Sequence, residues 1–157
     1  MPNPLFQPLT IRHVTFRNRF ISTSHACGLE EGGLPKERYQ RYHEEKAKGG
    51  IGLTMFGGSS NVAPDSPSVF QQLYVGDDEV IPYLQQFSER VNRHGTAIMC
   101  QITHLGRRGE PYQGHWLPTI GPSAIRETLH RSFPKEMDHH DITRVVKAYG
   151  AAARRCK

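Results

Sequence analysis

The sequence predicts an α/β fold, a small parallel sheet of about three β/α units preceded by an N-terminal hairpin. Residues 51–56 (IGLTMF) and 97–102 (AIMCQI) are almost unbroken apolar runs of strand length, the pattern of strands covered on both faces. Helical patterns alternate with the strand patterns, and the resulting β-α-β-α-β-α order implies parallel strands joined by right-handed crossovers. The whole chain, residues 1–157, reads as one domain without internal repeats or low-complexity tracts.

Each element has its own signal. Residues 9–16 alternate polar and apolar side chains, which suits a short hairpin, and Arg19-Phe20-Ile21-Ser22 follows as the first strand. After a Gly-rich turn at residues 28–33, Pro35 sits where a first helical residue would, and residues 36–48 run without a breaker to Gly49-Gly50. Strand two at residues 51–56 leads into a polar, Pro-bearing loop over residues 57–78. Val80, Ile81, Leu84, Phe87 and Val91 then form the stripe of an amphipathic helix closed by Gly95. Strand three at residues 97–102 precedes about 35 residues without periodicity, a length that within a compact domain marks a functional loop. Asp138 and Asp141 cap a last helix whose expected apolar stripe is Ile142, Val145, Val146, Tyr149, Ala152 or Ala153, and Cys156.

Composition narrows the classes. The net charge is +5, but the basic residues are scattered and no nucleic-acid-binding motif accompanies them, so they read as solvated surface and no nucleic-acid partner is expected. No apolar run approaches 18 residues and the N-terminus lacks a signal-peptide pattern, which leads to the expectation of a cytoplasmic chain with no membrane partner. Cys27, Cys100 and Cys156 are too few, and odd in number, for a disulfide framework.

In parallel α/β folds, sites form where loops converge at the C-terminal ends of the strands. Those ends are Thr23-Ser24-His25-Ala26-Cys27, Gly57-Gly58-Ser59-Ser60, and Gln101 with His104-Leu105-Gly106-Arg107. A zinc site from His25, Cys27, Cys100 and His104 is disfavoured by alternation, because Cys100 must point away from the side that Gln101 faces. No metal is therefore expected. His139-His140 reads as an exposed first turn, and Cys156 as core. Tyr112 and Trp116 belong either to a lid over a substrate or to surface packing.

Asn18-Arg19-Phe20 before a small polar turn, Gly49-Gly50-Ile51-Gly52-Leu53, and Gln101-Ile102-Thr103-His104-Leu105-Gly106-Arg107 together resemble the N-terminal half of the old yellow enzyme (NADH:flavin oxidoreductase) family. His25 and Phe133-Pro134-Lys135-Glu136-Met137-Asp138 are similar to its 2,4-dienoyl-CoA reductase and trimethylamine dehydrogenase branch. The tract at residues 25–31 and Arg126-Glu127-Thr128-Leu129-His130 resemble N-methylproline demethylase-type members. The resemblance implies that the chain is the N-terminal portion of a TIM (β/α)8 barrel, truncated at about three of eight units.

It also implies FMN at the C-terminal mouth, contacted by Thr23, Ser24, His25, Ala26, Gly58 and Gln101. A carboxamide such as Gln101 can both donate to and accept from a flavin's pyrimidine edge, and small residues such as Gly58 permit close approach of the ring. Some relatives carry a cysteine at the place of Ala26 that bonds the flavin or tunes its potential. Here Cys27 falls one residue later, so the flavin is expected to be non-covalent. The family's acid–base and phosphate-binding groups lie beyond residue 157. Among the catalytic candidates only His104 falls within the chain, and it either approaches flavin or substrate or fixes the third strand's loop. In full-length relatives a [4Fe-4S] cluster and an FAD- or NAD(P)H-binding region follow the barrel, and neither is visible here.

The implied reaction is oxidative N-demethylation of a small amine such as an N-methylated proline. The alternatives are NAD(P)H-dependent reduction of an enoyl-CoA or enone and, from another class, a non-catalytic partial barrel that needs its missing half or a partner. A small-molecule substrate is expected, and a homo-oligomer is compatible with the sequence.

Overall fold

A computed structural model describes residues 3–66, 68–109 and 117–157. Strands β1 (Leu9–Ile11) and β2 (Val14–Phe16) form an antiparallel hairpin, held across the open face by a 3.0 Å hydrogen bond between the Thr10 and Thr15 hydroxyls. The central sheet runs β3 (Ile21–Ser22), β4 (Leu53–Asn61), β5 (Ala97–Thr103), all parallel and in sequence order. Helix α1 (Glu37–Lys48) links β3 to β4, and α2 (Ile81–Asn92) links β4 to β5. Two residue pairs then bridge in parallel as β6 (Ile120–Gly121) and β7 (Lys135–Glu136), before α3 (His139–Arg155). The three central strands form an open sheet and close no barrel. No helix of the described residues is long and apolar enough to cross a membrane.

The core forms where both helices lay their stripes on β4. Leu84, Phe87 and Val91 of α2 and Tyr39, His43 and Ala47 of α1 are buried against Phe56. The Phe56 and Phe87 ring centroids lie 5.0 Å apart at a steep interplanar angle, the edge-to-face arrangement that the ring quadrupoles favour.

His43 lies inside this cluster, its Nδ1 2.8 Å from the Thr54 hydroxyl. Burial pushes the imidazole down to about 3, helped by the charges of Lys46 and His25. In the unfolded chain it titrates near its ordinary value of about 6.5, so between roughly pH 6.5 and 3 the unfolded state binds a proton that the folded state refuses. Stability present above pH 6.5 is therefore lost as the pH falls. Urea unfolding at pH 6.5 and 4.5 should show a loss of about 2 kcal/mol, and His43→Gln, which does not titrate, should remove most of that slope. An unchanged slope in the variant would refute the assignment.

Several sequence expectations are corrected. The polar, Pro-bearing loop expected over residues 57–78 begins later than that: β4 continues to Asn61, and Val62, Ala63, Leu73 and Val75 are buried. Asn61 anchors the returning chain by donating to the Leu73 carbonyl (2.7 Å) and accepting from the Val75 N–H (2.9 Å). The first strand is shorter than expected, two residues instead of four, because only Ile21 and Ser22 pair with β4. Pro35 precedes the helix by two residues, with Lys36 at the cap.

The aperiodic stretch after β5 contains the β6–β7 ladder. Tyr112 and Trp116, assigned above to a lid or to packing, lie outside the described residues. The Asp138–Asp141 capping box of α3 forms as expected, and His139 and His140 are exposed. The apolar stripe of α3 is only half used, since Ile142 and Val146 are 45% and 66% exposed. The helix is instead rolled so that Asp141, Arg144, Ala148 and Ala152 face inward. Arg144 anchors that roll by gripping the buried Asp65 carboxylate through two hydrogen bonds of 3.0 and 2.6 Å.

Arg17, grouped with the solvated charges by its scattered neighbours, does structural work at the opposite end of the sheet. Its guanidinium donates to the carbonyls of Ile51 (3.2 Å), His94 (2.8 Å) and Ala47 (2.7 Å) and to the Thr96 hydroxyl (3.0 Å). One side chain thereby ties together carbonyls near the ends of both α1 and α2, which a lysine's point charge does not span.

Candidate functional site at the strand ends

Because β3, β4 and β5 run parallel, their C-terminal ends share one rim, and the chain segments leaving them meet there. Gln101 on β5 lies at the centre. Its Oε1 accepts from the Ser24 hydroxyl at 2.9 Å and from the Ser59 N–H at 3.1 Å, tying the three strand ends together. The Ser24 contact spans 77 residues of sequence. The Gln101 side chain is exposed, and with Oε1 committed its Nε2 is the end that no described residue engages. This geometry also fixes the amide's orientation, because Ser59 N–H can only donate and so must face the oxygen.

The rim depends on a kink in β4. Pairing with β5 runs in register from Leu53–Ala97 to Phe56–Cys100, breaks, and resumes at Ser60–Ile102. Gly57, Gly58 and Ser59 in the break all have positive φ (108°, 54° and 84°). The Gly57 N–H is held by the buried Tyr39 hydroxyl at 3.0 Å, and burial pushes that phenol far above its ordinary range.

The reason for Gly58 is corrected by the structure. It is buried, and a Cβ there would lie 1.9 Å from the His25 carbonyl carbon and 2.2 Å from the Ala26 nitrogen. The missing side chain therefore admits the backbone of the first strand's turn. Gly58 shapes the rim from beneath, and the residues that present open surface are Thr23, His25, Ala26 and Gln101, with Ser24 half-buried.

His25 is tied outward to α1. Its Nε2 lies 2.7 Å from the Tyr42 hydroxyl, and the two rings meet edge to face. The Lys46 ammonium sits 4.2 Å from the Tyr42 ring centre and donates to the Ser22 hydroxyl at 3.0 Å. Tyr42 and Lys46 escaped the sequence reading, although Tyr39, Tyr42, His43 and Lys46 fall three, four and seven residues apart, the spacing of one helical face.

Of the two roles open to His104, the geometry takes the fixing one. Gly106 N–H donates to Nδ1 at 3.1 Å, which leaves Nε2–H to donate to Asp65 at 3.2 Å. The His104 N–H in turn donates to the Tyr149 hydroxyl at 2.8 Å. Both ring nitrogens are thus used in holding the third strand's loop against α3. Arg107 is exposed, and its carbonyl accepts from the Ser132 hydroxyl.

Cys100 packs on the helix side with Ile98 and Ile102, as alternation requires. Cys27 also packs against the core, its thiol pushed up by burial. Among the described residues, the group whose potential ligand atoms converge within 4.8 Å is Asp138, His140 and Asp141. Its carboxylates already serve the α3 cap and Lys135, at 3.1 and 2.6 Å.

An exposed amide donor stands beside the open residues Thr23, His25 and Ala26 at the C-terminal rim of a parallel sheet, the place where α/β barrels hold their ligands. Solved structures agree on the fold. The chain superposes with a TM-score of 0.89 on a 2-naphthoyl-CoA reductase complex (22% identity, 98% of this chain, 25% of that one) and of 0.85 on morphinone reductase (22%, 98%, 46%). Residues 4–157 match the NADH:flavin oxidoreductase / NADH oxidase family, and the chain belongs to it.

Curated relatives include the "Multifunctional alkene reductase/demethylase OYE" of Caballeronia cordobensis, 57% identical over 99% of this chain and 23% of that protein. The "Probable N-methylproline demethylase" of Rhizobium meliloti is 46% identical over 100% of this chain and 23% of that protein. The "N,N-dimethylglycine/sarcosine dehydrogenase" of Chromohalobacter salexigens is 44% identical over 98% and 22%. The chain spans about a quarter of the length of these relatives. Its fold is correspondingly a portion of a TIM-barrel oxidoreductase, with no closed barrel of its own.

Proposed function

We propose that this chain supplies one side of an FMN site in an oxidoreductase that removes a methyl group from a small amine of the N-methylproline kind. The observation that carries the reading is Gln101, whose oxygen is fixed by Ser24 and Ser59 so that Nε2 projects as a donor at the rim. A flavin's pyrimidine edge offers carbonyl and ring-nitrogen acceptors that such a donor fits. Thr23, Ser24, His25 and Ala26 would line the ring, and Gly58 would act through the turn it lets close. The residues present fit the group non-covalently, since Ala26 follows His25 and the Cys27 thiol is turned into the core.

Thr23, Ser24, His25, Ala26 and Gln101 would hold the flavin, which would supply hydride-acceptor chemistry for oxidising the amine. This chain's own residues do the positioning. The Ser24–Gln101–Ser59 bonds hold the rim rigid, and the Tyr42 bond fixes the His25 ring at its edge. The small amine is supported as substrate by the two relatives named for N-methylated amino acids. Alkene reduction is the second reading, supported by the relative named for both activities.

Flavin binding is measured by quenching of FMN fluorescence. Gln101→Leu should weaken it by roughly tenfold, the worth of about one lost hydrogen bond with its unsatisfied neighbours. Retention of full affinity would remove Gln101 from the site. Failure of the wild-type chain to bind FMN at all would leave the non-catalytic partial barrel as the better description of this chain by itself. For the chemistry, the flavin-loaded full-length protein is mixed anaerobically with N-methylproline or with NADH. Bleaching by the amine is the expected result. Bleaching by NADH alone, with turnover of an enone, would replace demethylation by alkene reduction.

A further inference from the structure

His25 is held at the rim through both its backbone and its ring, and only the position of its proton is left open. Its backbone is pressed against Gly58, where a Cβ would fall 1.9 Å from the His25 carbonyl carbon, and the preceding Ser24 is tied to Gln101 at 2.9 Å. Its ring meets the Tyr42 ring at 78° with centroids 5.7 Å apart, and its Nε2 lies 2.7 Å from the Tyr42 hydroxyl. Tyr42 is fixed in turn. The Lys46 ammonium sits 4.2 Å from its ring centre while donating to the Ser22 hydroxyl at 3.0 Å, and the His43 ring packs on it edge to face at 5.2 Å. The second nitrogen of His25, Nδ1, is the one nearer the backbone turn, and no described residue engages it.

We propose that Tyr42 is a positioning residue that sets the His25 tautomer: its hydroxyl donates to Nε2, so the proton of the neutral imidazole sits on Nδ1 and the open nitrogen at the rim is a donor. The ligand met by this donor follows from the FMN-site reading above, whereas the tautomer follows from the Tyr42 contact by itself.

Two features set the direction of the bond. Among the described residues the Tyr42 hydroxyl has His25 Nε2 as its one acceptor, so receiving a proton from Nε2 instead would leave the phenol O–H without a protein partner. The Lys46 charge over the ring face draws on its π electrons, which makes the O–H a stronger donor and a poorer acceptor. In a neutral imidazole one nitrogen donates and the other accepts, so fixing Nε2 as acceptor fixes Nδ1 as donor. His25 Nδ1–H and the Gln101 amide nitrogen then give the rim two donors on neighbouring strand ends. Such a pair suits the carbonyl oxygens and ring-nitrogen lone pairs of a flavin's pyrimidine edge.

The test is NMR of the 157-residue chain with its nine histidines labelled with heavy nitrogen, recorded at about pH 8, above the ordinary imidazole range. Long-range proton–nitrogen correlations report which ring nitrogen carries the proton, and the His25 signals are those that vanish in His25→Gln. Expected is the Nδ1–H pattern in the wild type. In Tyr42→Phe, which keeps the ring and its Lys46 contact, most of the population should move to the Nε2–H form. FMN titrated into the same samples should bind Tyr42→Phe about threefold to tenfold more weakly than the wild type, because the histidine must then change tautomer in order to donate. An Nε2–H pattern at His25 in the wild type, an unchanged pattern in Tyr42→Phe, or equal FMN affinity of the two proteins would overturn the proposal. A wild-type chain that binds no FMN, or a Gln101→Leu chain that binds it at full strength, would count against the FMN site instead, and the tautomer comparison would still decide the role of Tyr42.

Discussion

Replacing Gly58 by alanine should be among the most damaging single-methyl changes the chain can suffer, costing about 4 kcal/mol or more in urea unfolding. Two costs combine. The residue has φ +54°, a left-handed conformation that costs an L side chain about 1–2 kcal/mol. The added Cβ would also fall 1.9 Å from the His25 carbonyl carbon and 2.3 Å from its oxygen, both of them backbone atoms that no rotamer change can move aside. Either β4 or the turn at residues 23–26 must shift, at a cost typical of severe overpacking, about 1–3 kcal/mol or more. Gly32→Ala is the control: its φ is +65° but a Cβ there meets nothing within 4 Å, so only the conformational cost, about 1 kcal/mol, should appear. Because the displaced turn carries Ser24 and His25, Gly58→Ala should also lose FMN binding. Equal destabilisation by the two substitutions would show that the close approach is not what selects glycine at residue 58.

Asp65→Asn should cost about 3 kcal/mol while leaving the shape of the site nearly unchanged. Asp65 is 3% exposed and accepts from both ends of the Arg144 guanidinium and from His104 Nε2. Burial alone would raise its carboxyl, but the bonds from His104 and Arg144 overcome this and hold it well below the usual carboxylate range. Removing the charge strands the guanidinium, whose remaining carboxylate neighbour is Asp141 at 3.5 Å. Breaking a buried pair from one side costs about 3–5 kcal/mol, and the lower end applies here because Arg144 is 37% exposed. Since the folded-state carboxyl is depressed, its contribution is present above about pH 4 and lost as the pH falls further. The variant should therefore unfold with a flatter profile below pH 4 than the wild type. A loss under about 1 kcal/mol would mean that the roll of α3 does not depend on this pair.

Legibility in the sequence followed periodicity. The helices α1 and α2, the β4 and β5 runs, the capping box of α3 and the outward direction of Cys100 were all readable, because each depends on residues close together in the chain: an unbroken apolar run, a stretch between breakers, or side chains a fixed number of residues apart. The roll of α3 was not readable. Its apolar stripe pointed to Ile142 and Val146, yet a charged pair between Arg144 and Asp65, 79 residues apart, outweighed that stripe. The loop over residues 57–78 misled for a related reason: Ser60, Asn61, Asp65, Ser66 and Gln72 are buried, with hydrogen bonds made within the loop and to distant segments. Gln72, for example, accepts from the Val69 N–H at 2.8 Å. Arg17 lacked any local pattern, since its four acceptors lie at least 30 residues away.

By itself, the sequence determined the α/β class, the order of the units, the three strand ends that share one rim, and the likeness to flavin oxidoreductases. All of these rest on local spacing or on motif order, which a linear reading preserves. Only the tertiary structure decided that Gln101 presents its nitrogen and not its oxygen, that Gly58 is small to admit the chain's own backbone, and that His104 holds a loop. Each of those outcomes is a contact between segments distant in sequence. Hydrogen-bond direction and steric exclusion act over a few ångströms, and which atoms come that close is settled only once the strands are side by side.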